Sequence, residues 1–143
     1  MGTLSLYLDT SVIVPLFLAD RFASRALVLI GSQPTEAFVS DFASAEFAST
    51  LGNRIRMKLL SVDQARVALA NFDTWIAANV LRIEIMPSDI RLAETFLRRL
   101  DLRLRTPDAL HIAVAQRLNS DLATFDTRMA ESAAALGMKV LPR

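Results

Sequence analysis

Short apolar runs alternate along the chain with longer stretches whose apolar residues recur at helical spacing, and this alternation sets the expected order of elements. Leu4 to Leu8 reads as a buried strand ending at Asp9. Two helical segments follow, from Ser11 to Ala19 and from about Arg21 to Ile30, and Gly31-Ser32-Gln33-Pro34 reads as a turn. Ala37 to Val39 is the second strand, and Ser40-Asp41 carries the N-cap signal of a long helix reaching about Leu60. Ser61 and Gln64 form a capping box that opens a helix with apolar Val62, Ala65, Leu69, Phe72 and Ile76. Leu81 to Met86 contains the third strand. Pro87-Ser88 starts a helix whose expected inward stripe is Ile90, Ala93, Phe96, Leu97 and Leu100. Thr106-Pro107-Asp108 predicts a further helix, with Thr106 as N-cap and Pro107 in the first helical position. Leu122 to Phe125 is the fourth strand, closed by Asp126; a last helix stops at Gly137, and Lys139 to Leu141 is a fifth, edge strand.

Strands thus alternate with helices and no hairpin signal joins any two of them. The pattern predicts an α/β fold: a sandwich with a central, mostly parallel sheet of four to five strands flanked by helices, in a single domain over residues 1–143. No repeat or low-complexity segment interrupts it.

Composition narrows the chemistry. With no cysteine and one histidine, thiolate metal sites, thiol nucleophiles and multi-histidine sites are excluded. The net charge of +1 conceals an asymmetry if four acids gather in one site, because the rest of the surface then carries 16 basic against 11 acidic residues. That balance suits a polyanionic substrate held around an acidic centre. The apolar run from Val12 to Ala19 is far short of the ~20 residues a membrane span requires, and no signal peptide is evident, so no membrane association and a cytoplasmic location are expected.

In an open α/β sheet, ligands bind at the carboxyl ends of the strands. Asp9 closes the first strand and Asp126 the fourth; if those strands are neighbours, their carboxylates face each other across the crevice. Each also reads as an ordinary helix cap, as Asp41 does before the third helix. Glu46 is more telling. Its helical neighbours three and four residues away are Phe42, Ala43, Ser49 and Thr50, with no base to pair with. Asp108 lies in the first turn of its helix, where the dipole alone favours an acid. Together, Asp9, Glu46, Asp108 and Asp126 have the chemistry of a hard-cation site for Mg2+ or Mn2+, which take oxygen ligands and relieve the repulsion among clustered acids. His111, one turn after Asp108, reads first as a packed or hydrogen-bonded core histidine, and no nucleophile elbow supports a Ser–His–Asp triad.

Tyr7-Leu8-Asp9-Thr10-Ser11, Glu46 in its helix, Thr106 to Ala113 and Ala123 to Arg128 closely resemble the signatures of PIN-domain nucleases, and more narrowly of the VapC-type toxins of VapBC toxin–antitoxin pairs. The resemblance spans nearly the whole chain, although Leu60 to Arg105 carries no family-specific motif. It implies a PIN-like three-layer sandwich and metal-dependent hydrolysis of RNA phosphodiester bonds. It carries the family's acidic quartet onto Asp9, Glu46, Asp108 and Asp126, as both catalytic residues and metal ligands. Ser11 and Thr124 match its accessory hydroxyls. It further implies an antitoxin (VapB-like) segment as partner and a homodimer, for which the apolar surplus of Val12 to Ile30 offers surface. Among the basic residues flanking the motifs (Arg98, Arg99, Arg103, Arg105 and Arg128), Arg105 and Arg128 are the candidate contacts to RNA phosphates.

A receiver domain fits poorly, since it needs a paired acid at the first strand and a lysine after the last. A haloacid-dehalogenase-type phosphatase needs a second aspartate at position 11, which is Ser11. A PIN scaffold that binds RNA or protein without turnover, and a DNA nuclease, remain as alternatives.

Overall fold

The computed structural model describes residues 4–31 and 36–142. The expected turn beyond Gly31 lies outside them. Five strands form one sheet: β1 (Ser5–Leu8), β2 (Glu36–Ser40), β3 (Leu81–Ile83), β4 (Asp121–Ala123) and β5 (Val140–Leu141), in the order β3-β2-β1-β4-β5 with every pairing parallel. Seven helices connect them: α1 (Thr10–Phe17), α2 (Ala23–Gly31), α3 (Asp41–Arg56), α4 (Val62–Asn79), α5 (Pro87–Leu97), α6 (Thr106–Arg117) and α7 (Thr127–Ala135).

The pleat of β1 divides the molecule into layers. Leu6 and Leu8 point into a core with Val12 and Ile13 of α1, Phe47 and Leu51 of α3 and Phe72 of α4. Tyr7, between them, points to the opposite face, into a core with Phe96 of α5, Ile112 of α6 and Met129 of α7. Burial on both faces explains why β1 reads as a continuous apolar run. Each large apolar side chain so buried contributes roughly 1.5–3 kcal/mol. The predicted three-layer α/β architecture is therefore the observed one.

Several boundaries move. The long third helix ends at Arg56 rather than Leu60, and Lys58 follows at φ 59°, a left-handed conformation incompatible with continuing the helix. Ser40, not Asp41, caps that helix: its Oγ accepts from the Ala43 backbone N–H at 3.0 Å, while Asp41 pairs with Arg82. Thr106 is the first helical residue rather than the cap. Arg105 holds the N-cap position, and its backbone N–H is satisfied by Asp108 Oδ2 at 3.1 Å. The inward stripe of α5 is Asp89, Ala93 and Phe96, whereas Ile90 is 52% and Leu100 89% exposed. Arg117 rotates the stripe by one residue, because it binds the buried Asp89 carboxylate through two contacts at 2.7 and 3.0 Å. On α4, Val62 and Leu69 lie outside the face formed by Ala65, Ala68, Phe72 and Ile76. The last helix stops as expected: Gly137 takes φ 86° and Met138 N–H reaches back to Ala133 O. No helix among the described residues is long and apolar enough to cross a membrane.

Candidate active site

The register of the sheet places the first two acids. Leu8 pairs with Ala123, and the ladder continues through Asp9 N–H to Ala123 O at 3.1 Å, so Asp9 and Thr124 emerge side by side from the carboxyl edge of β1 and β4. Asp9 occupies the N-cap position of α1 but makes no side-chain capping bond. Its carboxylate turns instead to two hydroxyls: Ser11 Oγ donates to Oδ1 at 2.6 Å and Thr124 Oγ1 to Oδ2 at 2.7 Å. The cap reading therefore fails for Asp9. For Asp126 it holds, since Oδ1 accepts from the backbone N–H groups of Arg128 and Met129 at 3.0 and 3.2 Å. Even so, Asp126 borders the same cleft.

That cleft has a volume of about 240 Å3, and Asp9, Glu46, Asp108 and Asp126 all line it, with Ser11 and Arg105. Each acid comes from a different segment: the end of β1, the middle of α3, the start of α6 and the loop after β4. Thr124 stands behind Asp9 and also accepts from Asp126 N–H at 3.0 Å. Arg105 lies at the mouth, its Nε 3.6 Å from Asp108 Oδ2. Arg128 is not among the lining residues; its ordered contact here is the backbone bond to Asp126. Arg98 and Arg99 are engaged by Glu94 and Asp101.

The residue that sequence reasoning left outside the site is His111. It is buried, as a core histidine should be, yet its Nε2 lies 2.5 Å from Glu46 Oε1 and its Nδ1 2.6 Å from Tyr7 Oη. A carboxylate only accepts, so Nε2 carries the proton toward Glu46. Tyr7 Oη then donates to Nδ1 and accepts from Ser40 Oγ at 2.8 Å. Thr10 Oγ1 adds a second donor to Glu46 Oε1 at 2.7 Å. The ionisable groups respond accordingly. Burial pushes the Asp9 carboxyl up, against the opposing pull of His111, Ser11 and Thr124. Burial also raises Glu46, but the His111 contact, Thr10 and Arg105 outweigh it and hold that carboxyl below its usual range. Burial drives the Tyr7 hydroxyl up, so it stays protonated.

The donor chemistry fits a hard divalent cation. Asp9 is a desolvated carboxylate that a cation would relieve, and one oxygen each of Glu46, Asp108 and Asp126 has no hydrogen-bond partner among the described residues. Among those residues, no three His, Asp or Glu side chains converge into a closed shell. Asp108 and Asp126 are each turned partly toward their own helix N-termini. An open, oxygen-only arrangement of this kind matches an ion that retains several waters.

Comparison with known proteins places this geometry in a family. The sequence profile described as PIN domain matches residues 6–135. A full-length relative is the protein named Ribonuclease VapC3 of Pyrobaculum aerophilum, 26% identical over 93% of this chain and 98% of that protein. Ribonuclease VapC46 of Mycobacterium tuberculosis is 40% identical over a shorter match, covering 41% of this chain and 48% of that protein. Among solved structures, the M. tuberculosis toxin VapC20, described as cleaving the sarcin–ricin loop, superposes with a TM-score of 0.73 at 20% identity, over 93% of this chain and 95% of that one. The chain belongs to the PIN domain family.

Proposed function

We propose that this protein is a divalent-metal-dependent ribonuclease, acting as the toxin of a VapBC-type pair, with residues 1–143 as one catalytic unit. The observation that carries the reading is that four carboxylates from four separate segments line one cleft at the carboxyl edge of the sheet. A module that only binds gains nothing from such mutual repulsion. The names of the relatives VapC3 and VapC46 support the same activity.

Asp9 and Asp126 are the primary ligands for Mg2+ or Mn2+, with Glu46 and Asp108 completing the site partly through water. When bound, the cation activates water and neutralises charge developing on the phosphate. The chain's own contribution is positioning. Ser11 and Thr124 fix both oxygens of Asp9, so the carboxylate meets the cation in one orientation. His111 and Thr10 hold Oε1 of Glu46 and leave Oε2 without a hydrogen-bond partner among the described residues. Arg105 at the mouth, with Arg128 nearby, meets RNA phosphates. Attack by water needs no 2′-hydroxyl: a P–O bond to water forms as one ester P–O bond breaks, the leaving oxygen takes a proton, and the ends are a phosphate monoester and a free hydroxyl rather than a cyclic phosphate.

The expected partners are an antitoxin segment and a second copy of this chain. A groove of about 760 Å3 between the end of α1 and α4, with Phe17, Leu18 and Val67 beside Arg54 and Asp63, suits the former. Leu27 and Val28, exposed on α2, supply apolar surface for the latter. The cytoplasm is the expected compartment. The reading is tested by incubating purified protein with total cellular RNA in Mg2+ or Mn2+ and in EDTA, then mapping fragment ends. Metal-dependent cuts whose ends carry no cyclic phosphate support it, and RNA binding without any cleavage favours the non-catalytic scaffold instead.

A further inference from the structure

Beside the carboxylate cleft lies a second cleft of about 280 Å3 that shares Thr10 and Ser11 with it. One wall is α3. Glu46, Thr50 and Arg54 recur every four residues, so they form one stripe running from the first cleft into the second, with Arg54 about 12 Å along the axis from Glu46. The Arg54 guanidinium has no ion-pair or hydrogen-bond partner among the described residues.

Phe22 lines the opposite side, and Phe125, Arg21 and Arg25 gather around it just beyond the cleft. Phe22 stacks on Phe125 with centroids 5.0 Å apart and planes within 9°. Phe125 sits between Thr124 and Asp126, and its backbone N–H is held by Ser11 Oγ at 2.8 Å, so the stack is anchored to a hydroxyl that positions Asp9. The Arg21 guanidinium lies 4.7 Å over Phe22, and that of Arg25 5.0 Å over Phe125. A stacked guanidinium spends its face on the ring and keeps its in-plane N–H donors free for a phosphate. One acid, Asp20, borders the cleft, and its Oδ1 is occupied by the Phe22 backbone N–H at 2.7 Å.

The geometry points to this cleft as the track along which a single RNA strand leaves the carboxylate cleft, Arg54 gripping a phosphate near the scissile bond and Arg21 and Arg25 meeting the backbone beyond. The inference rests on the ribonuclease reading for the identity of the polyanion. Cationic grooves walled by aromatic rings are a recurrent solution for single strands.

The test measures binding of a fluorescent single-stranded oligoribonucleotide across a salt series, in an Asp9→Asn background that prevents cleavage. Loss of one phosphate contact lowers the slope of log Kd against log salt by about 0.7. Arg54→Ala should lose about 0.7 of that slope and the pair Arg21→Ala/Arg25→Ala about 1.4, each variant binding at least roughly fivefold more weakly. Arg54→Lys should retain the slope, because it keeps the charge. Arg91→Ala on α5, on the opposite face of the sheet, is the control. An unchanged slope in both the Arg54→Ala and the paired variant, or an equal loss in the control, overturns the track. Cleavage by the otherwise wild-type chain is scored in parallel. Cleavage with unchanged slopes sinks the track alone, while lost slopes without cleavage sink the nuclease reading alone. If Arg54→Ala melts early by circular dichroism, Arg54→Gln and the paired variant decide.

Discussion

His111 Nε2 and Glu46 Oε1 lie 2.5 Å apart, so a fully buried imidazole on α6 and a half-exposed carboxylate on α3 are fixed to each other across the carboxyl edge of the sheet. Tyr7 and Ser40 extend the contact into the core, and the hydroxyl of each has both a donor and an acceptor role filled.

Removing that support should show in both activity and stability. Groups that orient a metal ligand typically contribute tenfold to hundredfold in activity. His111→Ala should fall by that amount in kcat and lose about 1–3 kcal/mol, since Tyr7 Oη is left buried without its acceptor. Tyr7→Phe should give a smaller loss of the same kind. Thermal melts beside cleavage rates check this, and full activity in His111→Ala would show that Glu46 needs no such positioning.

Asp9 trades stability for chemistry. Because burial raises its carboxyl in the folded chain, the ionised form is unfavourable there. The stability associated with this group is present below the unfolded-state carboxylate pKa and is lost as pH rises through the higher folded value. Asp9→Asn should therefore melt a few degrees above the wild type at neutral pH, on the order of 1 kcal/mol. The advantage should vanish in acid. Mg2+ should raise the melting temperature of the wild type and not of the variant. Differential scanning calorimetry over a pH series, with and without metal, reads all three effects.

Thr124→Val keeps the shape of the side chain and removes the donor to Asp9 and the acceptor for Asp126 N–H. A loss of about 1–3 kcal/mol is expected for the orphaned buried groups, with cleavage reduced at least tenfold. Ser11 lies 3.3 Å from Thr124, so Ser11→Ala and Thr124→Val should be non-additive in a double-mutant cycle. Strict additivity would mean that the two hydroxyls act independently.

Arg117 offers the contrast. It is the partner of the buried Asp89, away from the cleft, and Asp89 in turn raises the Arg117 pKa. Arg117→Met should destabilise the fold by roughly 3 kcal/mol and leave the cleavage rate per folded molecule intact. A matched loss of activity and folded fraction in the unfolding curve is the expected signature.

The layers and the acids were legible in the sequence because both follow from local pattern. Leu6, Tyr7 and Leu8 alternate by the pleat and Asp9 directly follows β1, whereas β4 ends at Ala123 and Asp126 lies three residues on, at the N-cap of α7. Glu46 stood out because no base lies three or four residues from it on its helix. His111 did not, because its partners are 65 and 104 residues away and nothing in Ala109 to Ala113 distinguishes a core histidine from one that braces a carboxylate. The same limit explains Ile90, since the Arg117–Asp89 pair turns Asp89 inward on α5 instead. Leu100 is exposed for a different reason: α5 ends at Leu97, and Leu100 lies beyond it at φ 64°. Asp41 was misread as a cap because Ser40 beside it is an equally good one.

The most direct measurement follows Mn2+ binding by calorimetry and oligoribonucleotide cleavage in the same titration, for the wild type and Asp9→Asn. The account predicts that cleavage rises with occupancy of the site at a common half-saturation, and that both binding and cleavage are lost in a folded variant. Cleavage that persists in Asp9→Asn, or that proceeds equally in EDTA, would contradict it.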